Sequence, residues 1–194
     1  MKKYSILIAI AITILSCKKQ EAIEYQFTDS PETIKCKGLD YDLTHEAYYS
    51  FRQDIAIYVK ELHIGYDYLN YKESLGYYIY RGAQGNFDYK EIASPHTIKL
   101  LKLLKENTDI WDTTSPKSKI NYHSEFITCL VQNIKNEEIK QTIISLIESN
   151  SMNPFIFAEN YREYVFDSYS DNHFGVLIAF DTYYQYLYDM DFNK

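Results

Sequence analysis

Glycine and proline are scarce in this chain, six and four in 194 residues. That excludes collagen-like and low-complexity polymers, and it leaves few turn residues for a β-sandwich. Basic charge is short as well. Twenty Lys and Arg stand against 27 Asp and Glu, a formal net charge of −7. A nucleic-acid partner is therefore not expected, because phosphate neutralisation needs clustered cations. Lys117 and Lys119 are isolated, and Lys99, Lys102 and Lys105 read as a solvated helix face. No apolar run reaches the ~20 residues that span a bilayer.

Catalytic signatures are missing too. The five histidines (His45, His63, His96, His123, His173) form neither an HExxH motif nor an i,i+4 His pair, so they read as capping or surface residues and no metal site is expected. There is no Cys-x-x-Cys, no Gly-x-Ser-x-Gly and no phosphate-cradling glycine loop. Ser16-Cys17-Lys18-Lys19 matches the Ser-x-x-Lys pattern of penicillin-recognising enzymes, and Ser170-Asp171-Asn172 matches their second motif. The Lys-Thr-Gly element is absent, and Ser170–Asn172 reads as a break between helices. Glu159 and Glu163 fall on one face of a single helix and make no cleft of the glycosidase kind; Asp189 and Asp191 lie near the end of the chain. The chain is not expected to be an enzyme, and no cofactor is implied.

What the chain does have is tyrosine: 21, with 10 Phe and one Trp, in a sequence that is 46% hydrophobic and 24% charged. A packed core is feasible at that composition. Tyrosine joins a large apolar ring to a hydroxyl that wants a partner. Most of these rings fall on periodic apolar stripes and read as the rim of a core; the alternative is an interaction surface.

The first residues have a pattern of their own. Met1-Lys2-Lys3 is positive, Ile6 to Leu15 is apolar but for Thr13, and Ile14-Leu15-Ser16-Cys17 follows. The run is about ten residues, the size of a signal-peptide h-region. The segment resembles the lipobox of bacterial lipoproteins. That resemblance covers about the first 19 residues. It implies a signal peptide over 1–16, cleavage before Cys17, diacylation (palmitate-type chains) of the Cys17 thiol and acylation of the new N-terminus. Two or three acyl chains anchor a protein firmly. Loss of Lys2 and Lys3 takes the formal charge from −7 to −9, so the mature protein is expected to be an acidic domain held by lipid rather than by basic charge. Residues 17–37 read as a polar tether and 38–194 as the domain. Lys18 and Lys19 differ from the acidic cluster of surface-exported lipoproteins, which favours a domain facing the periplasm, on the outer rather than the inner membrane. In that compartment Cys36 and Cys129 can pair, although Cys129 within Phe126–Val131 reads equally well as a buried thiol.

The body of the chain repeats at helical period. Tyr48, Phe51, Ile55, Tyr58, Val59 and Leu62 mark a helix over about 44–64, with Thr44 as N-cap and an end near Gly65. Tyr66–Arg81 fits a helix despite Gly76; Tyr77–Arg81 alone would suit a short strand, but no second strand pairs with it. Gly82–Ser94 and Thr108–Lys119 read as loops. Ser94-Pro95, Asn136-Glu137-Glu138 and Asn153-Pro154 are cap signatures. Further helices are expected at 95–106, 122–135, 137–149, 154–168 and 173–190, the last central in its first half and partly exposed over Thr182–Met190. The sum is an all-α single domain of about seven helices packed as antiparallel hairpins, with a HEAT-like stack as one arrangement.

For function these features point to a protein-binding module. Its concrete form is an immunity protein that neutralises an envelope-targeted toxin, an analogy of size, acidity, helicity and anchoring. The alternative is a small-ligand or glycan binder that stacks on Tyr and Trp rings. The expected interface combines Phe87, Tyr89, Trp111 and Tyr169 with Asp88, Asp109, Asp112 and Asp171, aromatic anchors beside carboxylates that suit a basic protein partner.

Overall fold

The computed structural model describes residues 23–62, 71–82 and 87–192. Among them the chain is helical, apart from loops and one isolated β-bridge between Trp111 and Ile120. The helices are α1 (Tyr41–Leu62), α2 (Tyr71–Gly82), α3 (Tyr89–Ile92), α4 (Pro95–Glu106), α5 (Glu125–Gln132), α6 (Glu137–Glu148), α7 (Pro154–Tyr164), α8 (Asn172–Ala179) and α9 (Gln185–Tyr188). The domain is all-α, as the periodicity requires.

Local chemistry sets most helix starts. Ser94 accepts from Thr97 N ahead of Pro95, Asn136 from Glu138 N and Ile139 N, and Asn153 from Phe155 N ahead of Pro154. Each satisfies backbone donors that a first turn leaves unpaired. The first helix differs from expectation. Asp40 is its cap, accepting from Leu43 N at 3.0 Å, and Thr44 is buried one turn inside, its hydroxyl donating to the Asp40 carbonyl. The helix expected from Tyr122 starts only at Glu125, capped by Ser124. Residues 71–82 are helix, not strand; the end near Gly65 and residues 66–70 lie outside the described residues.

The C-terminal run 172–188 is the axis of the domain. Every residue of α8 from Phe174 to Ala179 is buried. A π-helical turn, Phe180–Tyr184, joins α8 to α9 and carries Phe180, Asp181, Tyr183 and Tyr184 into the interior. Within the second half Tyr183, Tyr184, Gln185 and Leu187 are core, while Thr182, Tyr186, Tyr188 and Met190 are half-buried and Asp189 is exposed, so the end is partly exposed as expected. Helix α8 packs on α1 and α5, α9 packs on α3 and α4, α6 lies on α5, and α7 packs on α2. These cross-connections wrap the chain around its C-terminal helix, which a one-dimensional HEAT-like stack of neighbours does not do. Gly175 allows the close approach of α1 and α8, since a Cβ there would lie 2.5 Å from the Tyr48 hydroxyl.

The N-terminal segment is not a free tether over its described part. Gln26 N and Phe27 N donate to the buried Glu46 carboxylate, whose Oε1 also lies 2.6 Å from His96 Nε2. His45 Nε2 is 2.9 Å from the Phe27 carbonyl, and Tyr49 donates to the Pro31 carbonyl. Ile34 is buried, and Cys36 is disulfide-bonded to Cys129 of α5. Gly38, at φ +87°, turns the chain toward α1 where any Cβ would press on Phe126. Residues 23–40 thus form a strap bound along α1. Composition alone made 17–37 look like linker because, over the described residues 23–37, most polar side chains face water while the backbone makes the bonds.

Candidate functional site

The residues expected to form an acidic aromatic interface do not come together as one. Trp111 is 6% exposed; its Nε1 donates to the Leu104 carbonyl at 2.8 Å and its ring meets Tyr188. Tyr89 is buried in α3 and stacks on Tyr186. Phe87 stacks on Tyr78. The Tyr169 hydroxyl donates to the Lys72 carbonyl, with the Lys72 ammonium 5.1 Å above the ring. These rings fold back onto the domain because isolated aromatics between helices have core grooves within reach.

Three of the four acids serve the backbone. Asp88 caps α3. Asp112 accepts from Thr114 Oγ1, Thr114 N and Ser115 N, and those bonds, the Thr114 hydroxyl's first, hold its carboxyl below the usual range. Asp171 is buried; it caps α8 and accepts from Lys135 N at 2.6 Å. Of the four, Asp109 alone is exposed and neither caps a helix nor closes a turn among the described residues. Cap and Asx-turn duty is the usual fate of Asp in short loops. Cys17 lies outside the described residues.

Besides Glu46, two further buried carboxylates escaped the sequence reading. Asp181 is fully buried on the π-helical turn and accepts from Tyr122 at 2.5 Å, Tyr161 at 2.8 Å and Gln185 Nε2 at 3.0 Å. Burial outweighs these donors and pushes its carboxyl up to about 6. Asp54 on α1 accepts from the hydroxyls of Thr97 and Tyr183 and from Ser94 N, and burial likewise raises it. Several tyrosines therefore act as hydrogen-bond donors to interior groups: Tyr122 and Tyr161 to Asp181, Tyr183 to Asp54, Tyr184 to the Ala47 carbonyl, and Tyr78 to the Thr182 carbonyl. A phenol is the side chain that fills core volume and still satisfies such an acceptor.

The cleft beneath these rings, lined by Tyr78, Tyr89, Tyr161, Thr182 and Tyr186, encloses about 20 Å³. That is room for about one water, not for a ligand. The larger concavity lies on the other stretch of the same α2–α7 seam. It is a shallow groove of about 510 Å³ lined by Gly76 and Tyr80 of α2, Glu159, Arg162 and Glu163 of α7, and Val165 and Phe166 beyond it. Tyr80 and Phe166 are 50% and 66% exposed, and Phe155, at 58%, stands on the same stripe of α7 as Glu159 and Arg162. Arg162 donates to both Glu159 oxygens and lies 4.7 Å from the Tyr80 ring centroid, so the groove wall is a cation–π and ion-pair ladder.

Gly76 lines this groove. Glycine inside a helix costs about 1 kcal/mol relative to Ala. Here a Cβ would meet nothing within 4 Å, so no neighbour demands the missing side chain, and its absence leaves the groove open. In the sequence Gly76 only interrupts a helical stretch, and Glu159 and Glu163 share one helix face without making a cleft. Only the apposition of α7 on α2 makes them one surface. No family model matches the chain, and no curated protein or solved structure is significantly similar to it.

Proposed function

We propose that the protein is a lipid-anchored, protein-binding module of the bacterial envelope whose docking surface is the α2–α7 groove. One observation carries this reading: of the five exposed large hydrophobics among the described residues, Tyr80 and Phe166 line that groove and Phe155 stands over the cleft on the other stretch of the same seam. Exposed apolar groups gathered at one groove mark an interaction site, whereas scattered ones need no explanation. The occupant is a protein segment that presents apolar and basic side chains. Its apolar groups fit the rings, and its cations face Glu163, Glu159 being paired with Arg162, on a chain of formal charge −7. The lipobox-like run ending at Cys17 supports the anchor. The Cys36–Cys129 bond supports an exported, periplasm-facing location, because disulfides persist in oxidising compartments. An immunity protein against an envelope-targeted toxin is the concrete form of this reading, by analogy alone.

The experiment is site-specific photo-crosslinking in the cell. A benzophenone amino acid is placed at Tyr80, at Phe166, and at the exposed control Lys102 of α4, and the adducts are identified by mass spectrometry. A discrete protein adduct through a basic, apolar segment is expected at Tyr80 and Phe166, absent at Lys102, and lost when Gly76→Trp fills the groove. Adducts only to glycan, or equal adducts at all three positions, overturn the reading.

A further inference from the structure

The strap sets how far the domain can stand from its anchor. Residues 17–37 extended would reach about 70 Å. The described chain, however, is bound from Ile23 onward. Ile23 and Tyr25 pack against the hydrophobic core, Gln26 and Phe27 are fastened to Glu46, and Cys36 is fastened to α5. Tyr25 lies beside Asp40, Asp42 and Glu46, at the N-terminal end of α1. Five residues, 18–22, separate Cys17 from Ile23. Six Cα–Cα steps cannot span more than about 22 Å in any conformation.

We infer that the end of the domain formed by the start of the strap and the N-terminal end of α1 faces the phospholipid headgroups, held there by a leash of five residues. The inference rests on the lipid-anchor reading above and adds an orientation to it. The strap's bonds are what keep the leash short. Fully detached to Cys36, the same chain would add more than a dozen residues of reach. The occupant of this face is the lipid surface itself, for the described chain begins here at Ile23, six Cα–Cα steps from the residue that acylation would hold in the bilayer. Glu24, Asp40 and Asp42 are exposed at this end. Lys18 and Lys19 follow Cys17 directly in the sequence, and so add two cations next to the anchor to offset those carboxylates at an anionic surface. A partner of the docking groove is consequently met at the membrane surface, within one domain diameter of it.

The test uses the full-length, acylated protein in vesicles of phosphatidylethanolamine with phosphatidylglycerol. Hydroxyl-radical footprinting reads the oxidation of Tyr25 and Tyr41 against that of Phe155 and Phe166. A second form carries a flexible Gly/Ser spacer of about twenty residues after Lys19, which preserves the anchor and lengthens the leash. In the native form, oxidation of Tyr25 and Tyr41 is expected to fall several-fold relative to soluble Cys17→Ser protein, and to recover in the spacer form. Equal oxidation of Tyr25 and Tyr41 in the vesicle-bound native and spacer forms overturns the orientation while leaving the anchor intact. An unmodified Cys17 and a chain that does not float with vesicles overturn the anchor and the orientation together.

Discussion

Asp181 gives this fold a dependence on pH that runs opposite to the ordinary acid denaturation of a carboxylate-rich protein. Its carboxyl sits near 6 in the folded domain against 3.8 in an unperturbed side chain, because complete burial outweighs the bonds from Tyr122, Tyr161 and Gln185. Between those two values the folded chain holds a proton that the unfolded chain has released. Stability from this group is therefore fully present below about pH 4, falls as pH rises through about 6, and is level above it. The gap corresponds to about 3 kcal/mol. Asp181→Asn removes the titration at nearly constant volume; its amide accepts from one tyrosine and donates to another, since a phenol does either. Urea unfolding followed by circular dichroism, at pH values from about 4 to 8, gives the stability of both chains. Wild type minus variant cancels the other titrating groups, including the raised Asp54 and the lowered Asp112. That difference should decline by about 2.5 kcal/mol from pH 4 to pH 7. A difference that is flat, or that grows with pH, refutes the argument, since it would mean that the three donors hold the carboxylate as well as water does.

The Cys36–Cys129 bond closes a loop of sequence separation 93, for which chain entropy gives a stabilisation of about 4–5 kcal/mol. Replacing both cysteines with Ser should lower the urea midpoint accordingly, and reducing agent should do the same to wild type but nothing to the variant. Trp111→Ala should destabilise the domain by about 3–5 kcal/mol in calorimetry, as for a buried ring that also loses its bond to Leu104; a loss under 1 kcal/mol would return Trp111 to the surface. The two helical glycines should diverge. Gly76→Ala is expected to stabilise by about 1 kcal/mol, as its Cβ enters open space. Gly175→Ala should destabilise by about 1–3 kcal/mol, as its Cβ meets the Tyr48 hydroxyl. Thermal melts of the pair decide both signs.

The sequence by itself determined what depends on a few consecutive residues. Stripes such as Ile139, Ile143 and Leu146 specify a helix through its 3.6-residue period, and Ser94-Pro95, Asn136 and Asn153-Pro154 specify where helices begin through a side-chain oxygen and unpaired N–H groups. The all-α class follows from these alone. Only the tertiary structure decided which side of a local pattern meets water. Asp112 and Asp171 could have been interface charges or caps, and Trp111 an anchor or core; the loop path chose caps and core. Composition made residues 23–37 resemble linker, yet their backbone is bound by Glu46, His45 and Tyr49, partners from a helix about twenty residues on. Asp181 stands among tyrosines in the sequence and gives no local sign of burial, because its donors Tyr122 and Tyr161 arrive from other segments. The α2–α7 groove exists only because two helices far apart in the chain leave Tyr80, Gly76 and Phe166 on a shared face. Capping and periodicity are short-range effects that a single strand of text records. Burial, and with it the charge state of a carboxylate and the exposure of a ring, is a property of everything packed around a residue.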